Sequence, residues 1–153
     1  MNIVGFSFVE LLSKSQYALL ALLELTAYYP SSEPLQIRQI ATLQDIPNRY
    51  LEQLLATLRR GGLIKSIRGA KGGYILTREP WKITVLDALS CVDGLDTAMP
   101  VKNATSKKVE DIVIQEIWQE ACQAANSVLQ KYTLQDLYER RIAKQPKEPM
   151  YYI

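Results

Sequence analysis

Apolar residues recur at helical spacing in three segments of the first sixty residues. Residues 15–28 are rich in strong helix formers and apolar on most sides, which predicts a buried helix. A shorter helix is predicted over residues 35–43, followed by a break in the pattern. A third helix is predicted over residues 48–60, with Pro47 at its first turn, where the missing N–H costs nothing, and a pair of glycines at its end.

The pattern becomes β-prone directly after the third helix. Residues 63–68 and 74–77 favour strands, and the glycine-rich stretch 69–73 between them is typical of a turn. These segments predict a hairpin with a basic tip. Two helices separated by a short break and followed by such a hairpin are typical of a winged helix-turn-helix. In that motif one helix can lie in the major groove of DNA while the hairpin contacts the backbone or the minor groove.

The C-terminal half predicts a short helix over residues 84–92, with Thr84 as its N-cap, and a long helix that begins at Lys107. About 25 helical residues span roughly 38 Å at 1.5 Å per residue. The apolar stripe of this helix is either plain core or a seam between two subunits. We favour the seam, because helix-turn-helix proteins usually bind two half-sites as a pair. The stripe assigned to the dimer interface comprises Ile114, Ile117, Trp118, Ala121, Ala125, Val128, Leu129 and Tyr132.

The predicted fold is mainly α-helical with a small β-hairpin wing: a winged helix-turn-helix domain followed by a long C-terminal dimerisation helix. The predicted parts are an N-terminal extension (1–10), the winged helix-turn-helix domain (11–92), a loop (93–106), the dimerisation helix with a short terminal helix capped by Thr133 (107–139), and a flexible tail (140–153). No apolar run is long enough to span a bilayer, and no basic leader precedes the first apolar stretch. The expected location is therefore cytoplasmic.

Charge is unevenly distributed along the chain. Residues 36–82 hold nine basic and three acidic residues, whereas the rest of the chain holds nine basic and thirteen acidic residues. A polyanion or plain solvent can face such a basic segment. The chain has no histidine, which removes most general-base chemistry and the usual zinc sites. The glycine-rich turn also lacks the spacing of a nucleotide-binding fingerprint, so no enzyme is predicted.

Three stretches of the sequence resemble the Rrf-type bacterial winged-helix regulators. They are Leu-Ser-Lys-Ser-Gln-Tyr-Ala-Leu-Leu from Leu12, Arg-Tyr-Leu-Glu-Gln-Leu-Leu from Arg49, and Gly-Leu-Ile-Lys-Ser-Ile-Arg-Gly-Ala-Lys-Gly-Gly-Tyr from Gly62. That family includes an iron–sulfur-cluster regulator, a nitric-oxide-sensing repressor and a cysteine-metabolism repressor. The resemblance covers roughly residues 11–138. It implies a homodimer, crossed through the long helix, that binds palindrome-like operators.

The resemblance also implies roles for individual residues. A carboxylate at Glu52 accepts a hydrogen bond from cytosine N4 and so discriminates between bases, while Arg49 tunes which operator is read. Arg68 reaches into the minor groove. Tyr17 and Tyr50 either contact the backbone through their hydroxyls or pack as buried aromatics. The residues expected to bind DNA are Lys14, Arg38, Asn48, Arg49, Tyr50, Glu52, Gln53, Arg59, Arg60, Arg68, Lys71, Gly72 and Gly73.

The sequence departs from the family pattern at its sensor. The sensing members carry three cysteines in the loop before the long helix, but residues 94–106 contain none. Cys91 and Cys122 lie outside this loop and are expected to be inert thiols rather than ligands of a site that bridges two subunits. Gln36 stands where the family often has a serine helix cap. No metal and no iron–sulfur cluster of the usual kind is therefore expected.

The expected function is that of a bacterial transcription regulator, repressor-like, acting as a homodimer on a palindromic operator. Its expected partners are double-stranded DNA and a second copy of the chain, with no membrane association. The alternative is a winged-helix module that binds a protein and whose basic field is incidental. No particular small-molecule or protein effector is predicted from the sequence.

Overall fold

Six helices and one two-stranded antiparallel sheet make up the part of the chain that the structure describes. The computed structural model describes the backbone of residues 2–93 and 108–146 and the side chains of residues 14–92 and 108–146. The elements are α1 (Asn2–Ala27), α2 (Ile37–Gln44), α3 (Asn48–Arg60), β1 (Ile64–Ile67), β2 (Gly73–Leu76), α4 (Val85–Asp93), α5 (Val109–Lys131) and α6 (Leu134–Lys144). Short 3₁₀ turns lie at Tyr29–Ser31 and Pro80–Lys82. The predicted fold class, mainly α with a hairpin wing, is confirmed.

Helix α1 lies at the centre of the domain and contacts α2, α3, α4, α6 and β2. Its apolar character on most sides is required by this position, because neighbours surround it. Leu22 is fully buried and packs in one core with Leu55 of α3 and Ile64 of β1. Burying one such side chain contributes about 1.5–3 kcal/mol to folding.

The turn between α2 and α3 is short and depends on one left-handed residue. Asp45 follows α2 with φ 55° and ψ 49°, and its N–H donates to the carbonyl of Ala41. Asp tolerates this conformation better than most residues. Ile46 is buried in the core, and Pro47 stands immediately before α3. The predicted bounds of this helix, residues 48–60, are the observed ones.

The hairpin pairs Ile64 with Leu76 and Ile67 with Gly73 at its two ends. It is also tied to the segment before α2. The Leu35 N–H donates to the Tyr74 carbonyl at 3.1 Å, and the Tyr74 N–H donates back to the Leu35 carbonyl at 2.8 Å. The wing is thereby held beside the helix-turn-helix by backbone hydrogen bonds.

The corner between α5 and α6 is held on the segment that precedes α4. The Leu134 N–H donates to the Ile83 carbonyl at 2.9 Å, and the Val85 N–H donates to the Tyr132 carbonyl at 2.8 Å. Thr133 caps α6 as predicted, because its hydroxyl accepts from the Asp136 N–H at 3.1 Å. Leu134 is fully buried, so the start of α6 belongs to the core.

The structure differs from the sequence prediction at both ends. The first helix begins at Asn2, so the residues predicted as an N-terminal extension continue α1. Helix α6 runs to Lys144, whereas residues 140–153 were predicted as a flexible tail. Arg141 is held there by an ion pair with Glu24 at 2.9 Å, a partner too distant in sequence to be inferred from the tail's own charge pattern. The remaining tail from residue 147 and the predicted loop from residue 94 lie outside the described residues. No helix in the described ranges is long and apolar enough to cross a membrane.

Candidate nucleic-acid interface

Helix α3 has two chemically distinct faces. Its inner face consists of four buried leucines, Leu51, Leu54, Leu55 and Leu58. Its outer face is exposed and carries Arg49, Glu52, Gln53, Arg59 and Arg60. This is the division that the apolar spacing predicts for an amphipathic helix. The outer face is therefore available to a partner, while the leucines fix the helix to α1 and the wing.

The groove-reading candidates on α3 are free of internal partners. Within the described part of the chain, the side chains of Arg49, Glu52 and Gln53 make no hydrogen bond and no ion pair. Exposed groups of this kind can bond to base edges without first breaking a contact inside the protein. The three side chains occupy the first two turns of the helix, which is the end that commonly enters the major groove.

The wing presents Arg68 and Lys71 near its tip, and both are exposed. Gly72 and Gly73, beside these basic residues, are constrained by close backbone contacts. A Cβ at Gly72 would lie 2.0 Å from the carbonyl oxygen of Ile67, and one at Gly73 would lie 2.5 Å from that of Leu35. The structure thus accounts for both glycines by close backbone packing that shapes the wing, and Gly72 is buried.

An open cleft lies between α2 and the start of α3. It is lined by Arg38, Thr42, Asp45 and Asn48, among others. The first N–H groups of a helix and a nearby guanidinium favour an anion such as a DNA phosphate, which fits the prediction for Arg38 and Asn48. Asp45 places one opposing negative charge on the same cleft. Arg38 is oriented by Gln36, whose Oε1 accepts from its Nη2 at 3.3 Å.

Tyr17 and Tyr50 pack against each other. Their ring centroids lie 5.3 Å apart with an interplanar angle of 83°, an edge-to-face pair that joins α1 to α3. Such pairs contribute about 0.5–1.5 kcal/mol beyond the area that they bury. The rings are half-buried, so packing accounts for both residues. Lys14 is exposed on α1, one turn before Tyr17.

Two exposed residues of this surface were not assigned from the sequence. Thr42 lines the cleft beside Arg38, and Lys65 is exposed on β1. Lys65 belongs to the basic segment, and the alternation of a strand could have placed it on the outer face. No pattern in the sequence marks Thr42 in this way. Only the packing of α2 against α3 shows which side of α2 faces the cleft.

The two cysteines lie in separate places. The Cys91 thiol donates to the Thr57 carbonyl at 3.4 Å and contacts Gly61, so it packs against the end of α3. Burial raises the pKa of the Cys91 thiol, against the lowering effects of the Gly61 backbone and the Arg60 charge. Cys122 is half-buried on α5. Among the described residues, no group of three or more His, Cys, Asp or Glu side chains could hold a metal ion.

Helix α5 exposes an apolar stripe. Ile114, Ile117, Trp118 and Val128 are 65%, 63%, 45% and 50% exposed, and Ala121 and Ala125 lie between them in the open. The half-buried residues of the helix fall mainly on another side, at Asp111, Gln115, Cys122, Asn126 and Leu129. The helix therefore turns a largely polar face toward its own subunit and leaves its apolar face uncovered.

Comparisons with known proteins agree with this architecture. Residues 11–140 match the Rrf2 family, described as an iron-dependent transcriptional regulator. An HTH-type transcriptional regulator of Synechocystis sp. is 36% identical over 130 residues, which cover 85% of this chain and 88% of the relative.

Solved structures show the same similarity. The structure of T. potens IscR has a TM-score of 0.72 and 32% identity, covering 91% of this chain and 93% of that one. The structure of CymR, the global cysteine regulator of B. subtilis, has a TM-score of 0.68 and 35% identity, covering 83% of this chain and 94% of that one. With the helix-turn-helix, the wing and the long C-terminal helix in place, the chain belongs to the Rrf2 family of DNA-binding transcriptional regulators.

Proposed function

We propose that this protein acts as a homodimer that binds a palindromic operator and represses transcription from it. The observation that carries this proposal is the exposed polar face of α3, on which Arg49, Glu52 and Gln53 have no partner among the described residues, beside a basic wing. In a protein whose relatives are transcription regulators, this face is the surface with both the shape and the charge for a DNA groove.

The base-reading task falls to the first two turns of α3. The Glu52 carboxylate can accept a hydrogen bond from cytosine N4, and it repels base edges that present only acceptors. Gln53 can pair with adenine through N6 and N7, and Arg49 with guanine through O6 and N7. These three contacts would determine which bases the protein recognises in each half-site.

The backbone contacts fall to the basic residues around this helix. They supply affinity and register but no sequence information, and they make the binding salt-dependent. Arg68 at the wing is the exception, because a guanidinium in the minor groove reads its width. The side chains assigned to phosphates are Lys14, Arg38, Asn48, Arg59, Arg60 and Lys71.

The exposed stripe on α5 supports the homodimer. A helix with several large apolar side chains half or more in solvent is the kind of surface that a second subunit covers. Pairing of two copies about a two-fold axis would present two recognition helices to half-sites about 34 Å apart, one turn of DNA.

The residues present do not fit the family's usual iron–sulfur cluster. The chain has only two cysteines, and the Cys91 thiol donates a hydrogen bond to the Thr57 carbonyl. We therefore propose a regulator without such a cluster. Anaerobic purification followed by an iron assay and a visible spectrum tests this, and a coloured, iron-loaded protein would overturn it.

The test of DNA binding is selection from a random duplex library, followed by titration of the enriched sequence and a scrambled one at several salt concentrations. The expected result is an enriched inverted repeat, with weaker and strongly salt-dependent binding to the scrambled duplex. A protein that enriches no sequence and ignores DNA at low salt would contradict the proposal and favour a protein-binding module.

A further inference from the structure

A buried carboxylate of α1 joins three helices, α1, α2 and α6. Glu24 lies in α1 and is 6% exposed. Its Oε2 accepts a hydrogen bond from Arg141 Nη1 of α6 at 2.9 Å and another from Gln44 Nε2 of α2. A buried charge of this kind is tolerated only when it is paired and hydrogen-bonded. Glu24 thus depends on both partners.

The two partners belong to different working parts of the molecule. Gln44 is the last residue of α2, directly before the turn residue Asp45 that leads into the recognition helix. Arg141 lies on α6, which follows α5, the helix with the exposed apolar stripe, through the capped corner at Thr133. The carboxylate is therefore a direct link between the helix-turn-helix and the arm formed by α5 and α6.

The contact between Glu24 and Arg141 carries a desolvation cost, so stability alone does not explain it. The Nε of Arg141 is buried and has no hydrogen-bond partner among the described residues. Replacing buried ion pairs by well-packed apolar residues is often neutral or stabilising. The Glu24 carboxylate accepts hydrogen bonds from both partners, so it constrains how α2 and α6 are placed against α1.

We propose that Glu24 is a positioning residue that sets the angle between the helix-turn-helix and the arm through Gln44 and Arg141. In the proposed homodimer, on which this inference rests, that angle determines the distance between the two recognition helices. Half-site spacing is a geometric property of the dimer, so Glu24 would select operators by spacing without touching DNA.

The experiment measures the spacing preference of an Arg141→Met variant. The DNA probes are the selected inverted repeat, versions with one base pair added or removed between the half-sites, and a duplex with a single half-site. Lys144→Met is the matched control, because Lys144 is exposed on the same helix and loses the same charge. Dimer formation is followed by sedimentation and helix content by circular dichroism.

The expected result is a loss of about tenfold in affinity for the best-spaced repeat. The altered-spacing repeats and the single half-site should change by less than about twofold, so the preference flattens. Lys144→Met should keep the wild-type preference. Arg141→Lys, which restores the charge but not the planar fork, should recover part of it and serves if Arg141→Met is poorly folded.

Two results would overturn the inference. Equal losses on every duplex, or an unchanged spacing preference in a folded dimer of both Arg141 variants, would show that the link is only structural. A wild-type protein that binds the single half-site as well as the repeat would instead contradict the proposed homodimer, and the inference with it.

Discussion

Single residues of the candidate nucleic-acid interface differ in which substitutions they tolerate. The exposed side chains of α3 and the wing are free to change without disturbing the core, whereas the glycines at the ends of these elements are not. Gly61 is an example, because a Cβ there would lie 2.1 Å from the Cys91 sulfur. Its backbone, with φ −79°, would accept any residue, so the constraint is space alone.

Gly61→Ala should therefore lower the free energy of unfolding by about 1–3 kcal/mol through overpacking. Removing the sulfur in Gly61→Ala/Cys91→Ala should recover most of the loss, because the thiol is the closest atom. Urea unfolding of the two single variants and the double variant gives the coupling. If the losses simply add, the contact does not limit this position.

Substitutions of Arg68 and Lys71 should differ in whether the loss of DNA affinity depends on the DNA sequence. Arg68→Ala should cost about 1–3 kcal/mol of binding, concentrated at the base steps under the wing. Lys71→Ala should weaken all sequences similarly and reduce the slope of log affinity against log salt by about one. Titrations of the operator and a scrambled duplex distinguish the two. Unchanged binding by both variants would mean that the wing does not contact DNA.

Among the elements, the corner between α5 and α6 depends on a reciprocal cap. The Thr133 hydroxyl accepts from the Asp136 N–H, and the Thr133 N–H donates to the Asp136 carboxylate at 2.9 Å. The same arrangement begins α4 at Thr84 and Asp87. Each cap satisfies N–H groups that have no partner within the helix.

Thr133→Ala should lower the free energy of unfolding by about 1 kcal/mol, since the start of α6 loses its cap. Thr42→Ala is a suitable control, because Thr42 is exposed within α2 and its hydroxyl has no hydrogen-bond partner among the described residues. Chemical denaturation of the two variants compares them. Equal midpoints would show that the cap does not hold the corner.

For the whole molecule, the central prediction concerns how the two subunits of the proposed homodimer meet. Ile117 lies in the middle of the exposed stripe on α5, and Ile112 lies about 140° around the same helix at 3.6 residues per turn. Both are exposed, so neither is needed for the core of the subunit. They can therefore carry a charge without unfolding it.

Ile117→Asp should raise the dimer dissociation constant by at least about a hundredfold, because an unpaired carboxylate would be buried in both copies of a two-fold interface. Ile112→Asp should leave it nearly unchanged. Sedimentation at several concentrations measures both. A dimer that survives Ile117→Asp but not Ile112→Asp would place the seam on another face of α5.

The sequence determined most of the local structure of this protein. Helix α3, the hairpin and the caps at Thr84 and Thr133 follow from nearby residues, since periodicity, Pro47 and side chains three positions apart act within a few residues. The exposed face of α3 follows from the same spacing. The family was likewise readable from its motifs, and the resemblance is confirmed by the match over residues 11–140.

Only the tertiary structure decided the long-range relations. The ion pair between Glu24 and Arg141 joins residues 117 positions apart, and Arg141 lies beyond the predicted end of the last helix. Close packing likewise explains why glycine is needed at positions 72 and 73. A Cβ there would clash with the carbonyls of Ile67 and Leu35, which the residues next to the glycines do not reveal. The physical reason is the same in each case. Burial and steric contact depend on which distant segments of the chain meet, and the local spacing of residues does not determine that.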